Sequence, residues 1–212
     1  MSFFYGREML LLHTAFWTAR HEGAEALLKA IEPLGVAGLS LDDAISPALW
    51  KELKGALQGR QFLPLVIHNP LPAPPWLPRE RDLRDDLLLA SPEREKRERA
   101  VAATLRTVEL ADALGVHTVV LHLGRVGMPS PWGELKAKFE REVLPETVEG
   151  VEFLEKLREE RADWGGEEMD AACFSLDQLL PQAERMGVKL ALESRVCIAA
   201  FPRYREARHL FE

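Results

Sequence analysis

An α/β fold with a parallel sheet is predicted by three observations. Amphipathic stretches of helix length alternate with short apolar runs along the chain. The phrase Gly-Val enters three of those runs, at Gly35, Gly115 and Gly187. The runs also lack polar alternation, which is how strands buried on both faces read. Helix, glycine and buried strand in repetition specify right-handed βαβ units. About five such units are legible, and they fit either an open sheet or an incomplete barrel.

The first strand is expected over residues 9–12, running into His13-Thr14. Ala26, Leu27, Ala30, Ile31 and Leu34 then recur at helical spacing within residues 22–34. Gly35-Val36 opens a second strand, to about Leu41. Ser46-Pro47 offers a capping hydroxyl and a proline at the first helical position, so a helix follows to about Leu57. Residues 62–67 form the third strand, finishing at His68-Asn69-Pro70. Pro72, Pro74, Pro75 and Pro78 make the next segment a stiff loop. Residues 79–99 mix both charge signs and read as a solvated helix surface.

Ser91-Pro92 is expected to start a long helix whose stripe is Val101, Leu105, Val108, Ala111 and Leu114. Gly115 ends it, because glycine takes the left-handed conformation at little cost. The fourth strand spans residues 116–121 and stops at His122 and Gly124. A long excursion begins at 129–131, with helix over 133–161 broken near Pro145 and a flexible joint at Gly165-Gly166. Ser175 and Gln178 have capping-box spacing and predict a helix from there to Met186. The fifth strand covers 189–192 and ends in Glu193-Ser194-Arg195. Residues 201–212 look like the start of one more helix.

Composition excludes several classes. A formal net charge of −7 argues against nucleic acid as the main partner, since such proteins show a basic face. No apolar run approaches the roughly 20 residues that span a bilayer, so no membrane role is expected. Two cysteines, Cys173 and Cys197, without a secretory leader point to the reducing cytoplasm. They lack metal-ligand spacing with each other. No glycine-rich phosphate loop occurs, so no nucleotide cofactor is indicated.

The polar residues at strand ends carry the functional case. His13, His68 and His122 fall at C-terminal ends of strands, where α/β proteins place their chemistry. His117 falls at the opposite end and reads as structural or as a surface residue, and nothing recommends His21 or His209. Glu193 closes an apolar run, where a carboxylate is costly unless it meets a cation, a donor or water. Neighbouring parallel strands lie about 4.8 Å apart, so His68, His122 and Glu193 on successive strands can converge on one ion. Two imidazoles and a carboxylate suit zinc, manganese or ferrous iron, with positions left for water or substrate. His13 is a candidate substrate contact. Arg125 and Arg195, just past strands four and five, could hold an anionic substituent. Trp76 and Trp132 sit in proline-rich loops above strands three and four.

His68-Asn69-Pro70, the run Val119 to Gly124 (Val-Val-Leu-His-Leu-Gly) and Leu190-Ala191-Leu192-Glu193-Ser194, in that order, resemble the xylose-isomerase-like TIM barrels. Leu89-Ala90-Ser91 and the run Glu109-Leu-Ala-Asp-Ala-Leu-Gly115 also resemble them. That superfamily includes sugar isomerases and epimerases and the endonuclease IV type of abasic-site nuclease. The resemblance covers nearly all of the chain and implies one partial TIM-barrel domain over residues 1–212. It implies metal ligation by His68, His122 and Glu193, with Glu193 also exchanging a proton with a substrate carbon. The implied activity is that of a divalent-metal-dependent isomerase or epimerase acting on a small sugar or sugar phosphate. The alternatives are an abasic-site nuclease, which the acidic balance disfavours, and a non-catalytic remnant of the barrel. The superfamily's further ligands come from strands six to eight, which this chain does not reach, and a complete barrel takes about 250 residues. The expectation is a truncated product, a fragment of a longer chain, or half-barrels pairing through open sheet edges as a homo-oligomer.

Overall fold

The alternation of helix and apolar run resolves into a parallel sheet. The computed structural model describes residues 10–15, 23–57, 63–75, 88–144, 147–194 and 197–212. Its elements are β1 (Leu11–His13), α1 (Ala24–Ile31), β2 (Gly38–Leu41), α2 (Pro47–Leu57), β3 (Leu63–His68), α3 (Arg94–Leu114) and β4 (Thr118–Leu121). They continue with β5 (Gly124–Arg125), α4 (Trp132–Glu140), α5 (Val148–Ala162), α6 (Gly166–Arg185), β6 (Lys189–Leu192), β7 (Ala200–Phe201) and α7 (Tyr204–Leu210). The main sheet has the order β1-β2-β3-β4-β6, every pair parallel. β5 and β7 form a separate antiparallel pair. This is the α/β, TIM-barrel-like arrangement expected, with five parallel strands that do not close into a barrel among the described residues. No helix among the described residues is long and apolar enough to cross a membrane.

The core lies on one face of the sheet. Leu39, Leu41, Ile67, Val119 and Leu121 are fully buried there, beside Leu27, Leu28 and Ile31 of α1 and Val108 and Ala111 of α3. Each such side chain contributes roughly 1.5–3 kcal/mol by leaving water. α3 ends as its sequence predicts. Gly115 adopts φ +67° and sends its N–H back to the carbonyls of Ala111 and Asp112.

Four local expectations are corrected. α3 begins at Arg94, not at Ser91-Pro92. The Ser91 hydroxyl accepts the Glu93 N–H at 3.2 Å, and its carbonyl accepts from the Arg97 guanidinium at 2.7 Å, so Ser91 builds a turn ahead of the helix. The joint at Gly165-Gly166 is the ordered N-terminus of α6. Gly165 has φ +115°, and an added Cβ would lie 2.7 Å from Glu206 Oε1. α6 therefore runs straight through the supposed capping box. Ser175 is buried mid-helix and donates to the Leu89 carbonyl at 2.6 Å, a tertiary acceptor invisible to local pattern. Phe201 is not helical: it is buried in β7 opposite Gly124, and α7 starts only at Tyr204.

Among the described residues the helix expected over 133–161 is two helices, α4 and α5, with Thr147 capping the second by accepting the Gly150 N–H at 3.0 Å. Its end is anchored by Arg161, which is buried. The guanidinium donates to the carbonyls of Trp164 and Ala200 and pairs with Glu206 at 3.0 Å, joining α5 to β7 and α7. Cys173 and Cys197 are free and exposed. His21, Trp76, Pro145 and Arg195 lie outside the described residues.

Candidate metal centre

Strand register places the polar groups. Paired residues of neighbouring strands point to the same face of a sheet, as do residues two apart on one strand. His13 pairs with Ser40, and Ser40 with Val66; His68 stands two residues beyond Val66. His68 pairs with Val120, and His122 is two residues beyond it. Val120 pairs with Ala191, two residues before Glu193. The ladder continues past the strands, through Asn69 N–H to Val120 O at 2.9 Å and Glu193 N–H to Leu121 O at 3.0 Å. His13, His68, His122 and Glu193 therefore share the face opposite the core, at its C-terminal rim.

One ring nitrogen each from His68 and His122 and one Glu193 carboxylate oxygen lie within 4.8 Å of one another. Both imidazoles are half-buried and the carboxylate is exposed. The His68 and His122 rings are 6.0 Å apart and tilted by 35°. His122 Nδ1 is 3.3 Å from the Glu193 carbonyl. A carbonyl only accepts, so Nδ1 is the donor in this contact and Nε2 is the ring nitrogen left outside it. Burial lowers the His68 pKa to about 4, helped by the neighbouring His13 and His122 and opposed by Glu193 and Asp43. His68 is thus neutral at pH 7, the form that ligates a metal.

The other sequence candidates divide. His13 joins the rim, its ring meeting His68 edge to face at 4.4 Å. Arg125 is exposed on β5, where it pairs with Ala200 of β7. His117 is exposed at the N-terminal end of its strand, and His209 is exposed on α7. Trp132 is 70% exposed on α4. A cavity of about 580 Å³ lies elsewhere, between α2, α3 and the proline-rich loop, with Trp50, Pro72, Pro74 and Leu110 among its walls.

Sequence reasoning missed Asp43, whose charge reaches His68 from just past β2. The signal was present in Ser40-Leu41-Asp42-Asp43, a polar strand end of the same kind as Glu193. It also missed Thr104 and Thr107 of α3. The first accepts from Asn69 Nδ2 at 2.9 Å and the second from the Leu71 N–H at 3.0 Å, pinning the segment after His68.

The sequence pattern of the xylose isomerase-like TIM barrel family matches residues 24–195. No curated protein sequence matches the chain. Among solved structures, 3-keto-D-glucoside 4-epimerase from E. coli superposes with a TM-score of 0.58 at 15% identity, over 96% of this chain and 64% of that one. D-psicose 3-epimerase with D-tagatose, from Clostridium cellulolyticum H10, gives 0.56 at 14% identity, over 95% and 58%. The IOLI protein with a zinc atom gives 0.52 at 15%, over 95% and 57%. The chain thus spans between 57% and 64% of the length of these three structures. Likeness at such identities speaks for the fold.

Proposed function

The chain belongs to the xylose isomerase-like TIM barrel family, and from that premise and the rim geometry we propose that it is a metal-dependent isomerase or epimerase of a sugar or sugar phosphate. One observation carries the reading: the convergence of His68, His122 and Glu193 on a common point at the C-terminal ends of three adjacent strands. The donor set fits a divalent ion. His68 is neutral, His122 has one ring nitrogen outside its backbone contact, and Glu193 supplies the carboxylate. Zinc, manganese and ferrous iron all accept two imidazoles and a carboxylate. Such an ion supplies Lewis acidity at a substrate carbonyl or hydroxyl oxygen.

The remaining chemistry belongs to the chain. Glu193 is exposed at the rim, so its carboxylate can reach the carbon beside the polarised oxygen, take its proton and return it. Arg125 and Arg195 follow His122 and Glu193 in the sequence and are proposed to hold a phosphate or carboxylate of the substrate. The outer edges of β1 and β6 have no strand partner among the described residues. Self-association of two copies through these edges is part of the proposal, and a clean monomer by light scattering would remove it.

The activity is tested by incubating zinc- or manganese-loaded protein with a panel of ketoses, aldoses and their phosphates in D2O. Deuterium entering the carbon beside the carbonyl, and lost in Glu193→Gln, is the expected result. Tightly held metal without exchange on any of them, together with cleavage of an abasic oligonucleotide, would replace the reading with the nuclease. Neither metal nor exchange would leave a non-catalytic barrel.

A further inference from the structure

We propose that His13 is a positioning residue for His68, acting through its ring; this rests on the metal-site reading above. His68 stands in a row of three imidazoles. His122 faces it at 6.0 Å on one side, and His13 meets it at 4.4 Å with the planes at 90°. A ring in that place limits how His68 can turn about its own side-chain bonds. Its lone pair is thereby kept toward His122 and Glu193.

Two further observations make His13 suited to the task. Its Nδ1 accepts the Ala15 N–H at 3.3 Å. That contact ties the His13 ring to its own backbone turn. The backbone under His13 is also held firmly. Thr14, the next residue, is fully buried, its N–H donating to Ser40 O at 2.9 Å and its hydroxyl accepting the Asp42 N–H at 2.9 Å. His13 is thus fixed from below by the β1–β2 ladder and from the side by its own turn. Preorganisation of this kind is what outer partners of a metal site supply.

The test compares wild type, His13→Ala and His13→Phe by zinc titration in competition with a chelator. A second measurement follows the His68 ring nitrogens by NMR in the metal-free proteins. His13→Ala is expected to weaken zinc binding by about 10–100-fold, the usual loss for an outer partner. His13→Phe keeps a ring against His68 and is expected to recover most of that affinity. In the metal-free state the His68 signals should be sharp in wild type and His13→Phe but averaged in His13→Ala. Zinc affinity unchanged in His13→Ala, or His13→Phe as weak as His13→Ala, would overturn the assignment. Absence of zinc binding by wild type would instead defeat the metal reading, and the NMR comparison would still decide whether His13 orders His68.

Discussion

The two faces of the main sheet are made by the same strands and do opposite work. On one face Leu39, Leu41, Ile67, Val119 and Leu121 are wholly buried. On the other, Ser40, Val66, Val120 and Ala191 are small or modest in size and lead up to His13, His68, His122 and Glu193. The pleat alternates side chains with a period of two, so a single step along β4, from Leu121 to His122, passes from core to rim. The buried core and the candidate ion site are thereby separable by substitution.

The largest effect is expected on the core face. Leu121→Ala should destabilise the fold by about 2–5 kcal/mol through lost burial and a residual cavity. At roughly 2–4 °C per kcal/mol for a chain of this size, calorimetry would register it plainly. Zinc affinity of the folded fraction should change little, and a parallel collapse of affinity would show that the faces are coupled. Glu193→Ala should do the reverse. Zinc affinity should fall on the order of 100-fold or more, since even outer partners account for 10–100-fold. Stability of the metal-free protein should stay within about 0.5 kcal/mol, as for other exposed positions.

A third, smaller effect concerns pH. His68 is held at about 4 in the folded protein against an ordinary value of 6.5. Between those values the unfolded chain binds the extra proton, so stability of the metal-free protein falls as pH drops from 6.5 to about 4 and this contribution then levels off. The urea midpoint of wild type should therefore decline more steeply over that window than that of His68→Gln. Equal slopes would mean that the imidazole is not buried as described. The smallest effect is expected away from both faces: Cys173→Ser and Cys197→Ser should each alter stability in urea unfolding by no more than about 0.5 kcal/mol, because both thiols are exposed and free.

Much of this arrangement was legible in the sequence because strand periodicity and strand ends are local signals. The apolar run before His122 and the Leu-Ala-Leu run before Glu193 place both residues at the C-terminal edge of buried strands. Parallel neighbours then bring them together without any knowledge of the loops. What was not legible depends on partners distant in sequence. Ser175 looks like a helix start until the Leu89 carbonyl, 86 residues away, accepts the hydrogen bond from its hydroxyl. Phe201 looks helical until Gly124 pairs with it. Asp43 was passed over because the expected second strand was read only as far as Leu41, and the charge that follows acts on a residue of the next strand.

The central claim is that three strand ends build one ion site. Crystals soaked in zinc and measured above the zinc absorption edge test it most directly. The account predicts one anomalous peak within about 2.0–2.2 Å of a His68 nitrogen, a His122 nitrogen and a Glu193 oxygen. A peak bound to other residues, or none at this rim with zinc bound elsewhere on the chain, would contradict it.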